Sequence, residues 1–171
     1  MLLIGLNYFR FLRKRVGTVK SKLRKFLREG GKWMGIIELS NTEIVTIYKT
    51  LFFKRHGKLP LGIENFDTVL SHLRDCLFGN VLFFDEKPIS IQIIYRNISK
   101  RKMSFEFVNG AFDPNYKRYA PGSLLIFKNT TEAEKLAKEA DLECYYTFAK
   151  YDADYKAKWC EISSIFQTTI K

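Results

Sequence analysis

Three cysteines, four prolines and two histidines in 171 residues leave several protein classes without their material. Cys76, Cys144 and Cys160 are odd in number and widely spaced, which excludes a disulfide scaffold. With His56 and His72 as the only imidazoles they form no zinc set, so reduced, mostly buried thiols and no metal site are expected. Ten glycines are too few for a collagen-like or low-complexity chain. No GxxxxGK[ST] or GxGxxG loop occurs, so the common nucleotide cradles are absent. The apolar start, residues 1–9, falls far short of the ~20 residues that span a bilayer. Arg10 and Arg13 follow it, the reverse of a secretory signal's order, and no small-residue cleavage site comes after. A cytoplasmic protein is expected, with peripheral contact at the inner face of the cytoplasmic membrane.

Acidic residues are also scarce where the chain begins. Residues 1–32 carry ten lysines and arginines against Glu29 alone, nine of the eleven net positive charges. The rest of the chain is nearly neutral. A uniformly basic protein would suggest wrapping by nucleic acid, whereas a basic arm on a neutral domain points to an anionic membrane surface, an RNA or an acidic partner. Leu2, Phe9, Leu12, Val16, Val19, Leu23 and Phe26 form one helical stripe, with basic residues on the other faces. Gly17-Thr18 is a candidate break, and Gly30-Gly31 a C-cap. The alternative is a helix that packs its stripe on its own domain and solvates its charges. The division expected is a basic amphipathic helical arm over residues 1–30 and a single domain over residues 31–171.

The chain is 46% hydrophobic and 15% aromatic, enough for a packed core. Residues 32–39 have the pattern of a short strand. Ser40 and Glu43 form a capping box for a helix with Ile44, Ile47, Tyr48, Leu51 and Phe52 inward. A second helix is expected over about 65–78. Residues 81–84, 89–95 and 103–108 are β-rich runs joined at hairpin length, an antiparallel meander. A helix over 122–140, a strand near 143–148, a charged Tyr-rich segment and a last strand over 162–170 complete the order. Helices do not separate all the strands, so a doubly wound sheet is excluded; an α/β (α+β) fold with a mixed, mostly antiparallel sheet flanked by helices is expected.

Three segments carry a resemblance: Asn109-Gly110-Ala111-Phe112-Asp113-Pro114-Asn115-Tyr116, Tyr119-Ala120-Pro121-Gly122-Ser123-Leu124-Leu125, and Tyr151-Asp152-Ala153-Asp154-Tyr155-Lys156-Ala157-Lys158-Trp159-Cys160. Together with the element order they resemble the Fem-like branch of the GNAT acyltransferases, and within it the macrophage-inducible family tied to cationic antimicrobial-peptide resistance in enteric bacteria. The Tyr-Lys-x-x-Trp-Cys ending points there. The resemblance implies a GNAT-like fold, transfer of an acyl or aminoacyl group to an amine, an acyl-CoA donor or an aminoacyl-tRNA in its place, and a role in envelope modification. Fem-like proteins usually carry two such domains, so a homodimer is a further implication. In the stretch Arg118 to Ser123, Pro121 stands where the GNAT cofactor loop has its first glycine.

Particular residues follow. A helix N-terminus offers unpaired amides and partial positive charge, so Pro121, Gly122, Ser123 and Leu124, with Arg118 and Lys117 beside them, form a candidate anion cradle. The alternative is a plain Pro-Gly helix start. On the third meander strand Ser104, Glu106 and Val108 share one face, and burial of Glu106 would raise its pKa toward that of a general base; a salt-bridged Glu at an edge is the alternative. Tyr155 lies where a GNAT general acid is often found, with Lys156, Asp152 and Asp154 as candidate contacts to substrate. These aromatics can equally pack on the core. Two rival functions remain: a catalytically inactive GNAT scaffold that binds a membrane or protein partner through its basic arm, and a tRNA-contacting module.

Overall fold

The computed structural model describes residues 3–7, 13–150, 154–159 and 163–165. Among them eight strands form one sheet: β1 (Leu3–Asn7), β2 (Gly31–Gly35), β3 (Leu77–Phe78), β4 (Asn80–Phe84), β5 (Lys87–Ile98), β6 (Lys102–Phe112), β7 (Glu143–Lys150) and β8 (Ser163–Ile165). The order is β2-β4-β5-β6-β7-β1-β8, with β3 on β5. All pairings are antiparallel except β6 with β7, which run parallel. A parallel pair needs a crossover, and α4 (Pro121–Glu139) supplies it.

Helices cover both faces. Val19 and Phe26 of α1 (Arg13–Arg28) and Leu124, Leu125, Ile126 and Ala133 of α4 bury against Phe105, Phe107 and Phe148 on one face. Ile44, Ile47 and Leu51 of α2 (Asn41–His56) and Leu70 of α3 (Phe66–Leu73) bury against Val81, Phe83, Ile91 and Ile93 on the other. The mixed, mostly antiparallel sheet is the expected one. Among the described residues no helix is long and apolar enough to cross a membrane.

Local chemistry explains the elements that match. The Ser40 hydroxyl accepts the Glu43 N–H at 3.2 Å while the Glu43 carboxylate accepts the Ser40 N–H at 2.7 Å, closing the capping box of α2. Asp85 and Glu86 both have positive φ (48° and 60°), the two-residue turn whose twist suits a β4–β5 hairpin.

Four segments differ from expectation. Leu3–Asn7 is not helix but a strand between β7 and β8, where sheet pairing satisfies its backbone. The helix then runs unbroken from Arg13 through Gly17; Phe9 and Leu12 lie outside the described residues. Of its stripe, Val19, Leu23 and Phe26 meet the domain's own core while Lys20, Arg24, Lys25 and Arg28 stay exposed, which agrees at these positions with the second of the two readings of the stripe. The strand from Gly31 stops at Gly35, where the Glu38 carboxylate accepts the Gly35 N–H at 2.8 Å and a 3-10 turn begins. The helix expected over 65–78 ends at Leu73. The Arg74 guanidinium donates to the carbonyls of Ile37 (2.7 Å) and Leu39 (2.5 Å), and Leu77–Phe78 leaves to pair with β5. Finally, Asn109-Gly110 is no strand end: β6 continues to Phe112.

Phe26 is fully buried against Phe84 and Tyr119, and its ring lies directly over the Gly31 Cα. A methyl there would occupy the ring's space. Gly31→Ala should therefore lower stability by about 1–3 kcal/mol, the range for overpacking a filled site. Thermal denaturation checks this, and an unchanged Tm would mean that the ring has room to move.

Candidate functional site

The β6–β7 ladder is short. Pairing runs from Lys102–Glu143 to Glu106–Thr147 and stops, although β6 goes on to Phe112 and β7 to Lys150. A cavity of about 710 Å³ borders the part of β6 that runs on past this ladder. Its floor is β5 at Ser90–Gln92 and β6 at Phe107 and Asn109–Phe112; its wall is the first turn of α4, from Pro121 to Ser123, with Ile126. Tyr155 and Trp159 close one side, and Arg55, His56 and Lys117 stand on the other.

A β-bulge aims β6 at this cavity. Ile93 pairs with Asn109 and Ile94 with Phe107, so Val108 is the extra residue and alternation inverts after it. Met103, Phe105 and Phe107 face α4, but beyond the bulge Ala111 joins the α2–α3 core and Gly110 and Phe112 turn to the cavity. A Cβ on Gly110 would lie 3.0 Å from the Ile91 carbonyl and 3.2 Å from Phe107, so a larger residue there would have to press its neighbours aside.

The start of α4 has no side-chain cap. Ala120 holds a left-handed conformation (φ 55°, ψ 55°), which costs a non-glycine residue roughly 1–2 kcal/mol. Its carbonyl takes the N–H groups of Ser123 (2.9 Å) and Leu124 (3.1 Å). Pro121 brings no N–H, so Gly122 is the first amide of the helix. A Cβ at Gly122 would meet only Phe112, at 3.8 Å, so the turn is open rather than plugged. Among the described residues the lining holds Arg55, Lys117 and His56 but no Asp or Glu. Arg55 is braced over the Phe112 ring at 4.6 Å. Burial, then Arg55 and Lys58, hold the His56 pKa below its usual 6.5, which leaves its imidazole neutral at pH 7.

A larger cavity of about 860 Å³ lies at the far end of β2 and β5, lined by Glu38, Asp75 and Glu132 with Arg96 as its cation. Its carboxylates suit it poorly to an anion. The two differ in charge, and the smaller one matches the helix start.

Of the residues singled out from the sequence, Pro121, Gly122, Ser123 and Tyr155 come together here, with Lys117. The others do not. Glu106 is exposed, on the face of Ser104 and Val108, and the sheet separates it from α4; the α2–α3 layer does not reach far enough to bury it. Arg118 does not line the cavity. Its guanidinium donates to the Tyr119 hydroxyl at 2.8 Å, and that hydroxyl donates to Glu29 at 2.5 Å, tying the loop to the end of α1. Leu124 is buried in the core and its amide is engaged by Ala120. Lys156 is buried too: its ammonium donates to the Phe148 carbonyl at 2.9 Å, just past the last β6 partner of β7. Asp154 is exposed outside the lining, and Asp152 lies outside the described residues. Cys76 and Cys144 are free, half-buried thiols; burial, then Glu134, pushes Cys144 up to about 11. Cys160 also lies outside the described residues.

Sequence reading missed Arg55, His56, Gln92 and Asn109. Basic residues in the last turn of α2 look like ordinary complements of a helix dipole. Gln92 left a signal: with Ser90 it is the polar interruption of an isoleucine-rich strand.

Asp113 anchors the arrangement. It is buried at the end of β6, accepts the Asn115 N–H at 3.0 Å and pairs at 2.6 Å with Lys54, beside Arg55 and His56. Burial pushes its carboxyl up, but the Lys54 bond, the Asn115 N–H and the Lys54 charge outweigh that and hold it below 3.8. A folded pKa below the unfolded one gives stability that is present above about 3.8 and lost as pH falls through the folded value. Asp113→Asn should cost about 1–2 kcal/mol at pH 7, Lys54 being half exposed, and the gap from wild type should narrow as pH falls below 3.8. Denaturant titrations at the two pH values measure it; a gap independent of pH would contradict the ion-pair account.

A family model described as Mig-14 matches residues 9–168. No curated protein matches the chain in sequence. Among solved structures, FemX superposes with a TM-score of 0.59 at 12% identity, covering 88% of this chain and 54% of that one. An aminoglycoside acetyltransferase from an uncultured soil metagenomic sample gives 0.55 at 18% identity, covering 82% and 97%. A GNAT family acetyltransferase from Staphylococcus aureus gives 0.54 at 12%, covering 82% and 99%. At these identities the likeness is one of fold, which is GNAT-like. The family match and the FemX likeness agree with the resemblance carried by residues 109–160.

Proposed function

The chain belongs to the Mig-14 family, and from that premise we propose that this domain is an N-acyltransferase, moving an acyl or aminoacyl group from an anionic carrier to an amine. The observation that carries the reading is the cavity at the uncapped start of α4, bordered by two cations and, among the described residues, by no carboxylate. Such a lining favours a polyanionic donor: the Gly122 amide and the helix dipole meet one charged group, and Lys117 and Arg55 meet others. Acyl-CoA is the donor in this reading, with aminoacyl-tRNA as its alternative. Envelope modification and resistance to cationic peptides come from the resemblance and remain the biological frame.

In the chemistry proposed, an amine acceptor must lose a proton before or during attack on the donor carbonyl. His56, neutral at pH 7 and lining the cavity, is the acceptor of that proton. Glu106, exposed across the sheet, is not suited to it. The amine nitrogen bonds to the acyl carbon, the tetrahedral intermediate collapses, and the bond to the carrier's sulfur or oxygen breaks. Tyr155 returns a proton to the leaving group.

Acetyl-CoA and longer acyl-CoAs should raise the Tm of the wild-type protein. Lys117→Glu should abolish that shift, and His56→Ala and Tyr155→Phe should retain it. With a competent amine, each of the latter two should lower kcat by about 10²–10⁴, the usual worth of a general acid or base. Absence of a shift with every acyl-CoA, together with one from aminoacyl-tRNA, would reassign the donor. Absence of both would end the transferase reading.

A further inference from the structure

Three buried amide side chains cross the core between α4 and the sheet. The Asn80 backbone N–H donates to the Asn129 Oδ1 at 3.0 Å, the Asn129 Nδ2 donates to the Gln92 Oε1 at 2.9 Å, and the Gln92 Nε2 donates to the Gly122 carbonyl at 3.3 Å. Gln92 is 3% exposed and Asn129 fully buried. Asn80 adds its own side chain, whose Nδ2 donates to the same Asn129 oxygen at 3.0 Å and to Glu132.

The polarity of this chain is fixed at one end. A backbone N–H can only donate, so the oxygen of Asn129 must face β4 and its NH2 must face Gln92. That in turn puts the oxygen of Gln92 toward Asn129 and its NH2 toward the first turn of α4. No amide can flip alone without setting donor against donor or acceptor against acceptor. Packing is tight around the same point: a Cβ on Gly79 would lie 3.2 Å from the Asn129 Nδ2 and 3.1 Å from Ile94.

The chain ends on the residue that offers the first amide of α4 to the cavity. Gln92 itself lines the cavity, and the second N–H of its Nε2 has no partner among the described residues. Core packing alone does not require this, since apolar side chains of the same volume would fill the space as well. We propose that Gln92 and Asn129 are positioning residues for the donor: through the Gly122 carbonyl they hold the first turn of α4 in the orientation in which it meets an anion. The inference rests on the reading of the cavity as the donor site, and its test has one arm that does not.

That arm is hydrogen–deuterium exchange of the intact protein without ligand. Asn129→Leu and Gln92→Met should each reduce protection of the amides of residues 123–126 by about tenfold, the worth of one buried hydrogen bond. The reference is Leu70→Ala, which opens the core on the other face of the sheet, compared at equal distance below each variant's Tm. Equal loss in the reference would overturn the proposal. Gln92→Glu adds a readout that packing does not move. Its carboxyl can donate to the Gly122 carbonyl only when protonated, so protection of the first turn, corrected for intrinsic rates, should rise as pH falls; a flat profile in a folded protein would overturn the proposal, even where Asn129→Leu fails to fold. In the second arm, acetyl-CoA affinity should fall about tenfold in Gln92→Met, with the Lys117 contact intact. If the wild-type protein binds neither acyl-CoA nor aminoacyl-tRNA, the donor reading fails while the exchange comparison still decides whether the amide chain holds the turn.

Discussion

Two strands that run parallel for five residue pairs and then separate govern the rest of the molecule. While β6 and β7 are paired, their side chains and those of α4 make a continuous core. Once they part, backbone that would have been paired needs other partners, and the free end of β6 borders a cavity. The protein meets these needs with particular groups. Lys156 takes the Phe148 carbonyl, Tyr155 and Trp159 close one side, and the bulge at Val108 turns Gly110 and Phe112 inward as the floor. The crossover that the parallel pairing demands is α4 itself, so its N-terminus is delivered to the opening by topology.

The surroundings keep that opening in shape and positive. Asp113 and Lys54 fasten the last turn of α2 to the end of β6, which brings Arg55 and His56 to the rim. The Glu29–Tyr119–Arg118 group fastens the preceding loop to α1 and withdraws Arg118 from the cavity. Aromatic contacts of Phe26 with Phe84 and Tyr119 fill the space beneath that loop. The strained Ala120 persists because both flanks are held, the usual condition under which an unfavourable backbone conformation survives near a site.

Much of the architecture was legible in the residues. The capping box at Ser40, the meander, the long α4 and its start at Pro121-Gly122 all follow from period, turn chemistry and helix-end rules. What stayed illegible was set by distant partners. Leu3–Asn7 falls within the expected helical arm, yet the edge of β7 draws it into the sheet. Glu106 was rightly placed on its strand face, but strand alternation says nothing of whether a helix layer covers that face at that point. A bulge leaves no mark in the sequence, and so Asn109-Gly110 looks like a turn while it lies inside β6. Arg55 and His56 join the site only because α2 ends there, which depends on the packing of two layers. The motif at Tyr155-Lys156 divides: the phenol reaches the cavity and the ammonium turns into the protein.

The central claim is that the open first turn of α4 is where an anionic donor is held. Backbone amide NMR during a titration with acetyl-CoA tests it most directly, because it reports on the Gly122 N–H itself. The account predicts saturable shifts at Gly122 and Ser123, with Gly35 and Gly79 in the acidic cavity unmoved. Saturable shifts at Gly35 and Gly79, with Gly122 and Ser123 unmoved, would contradict it.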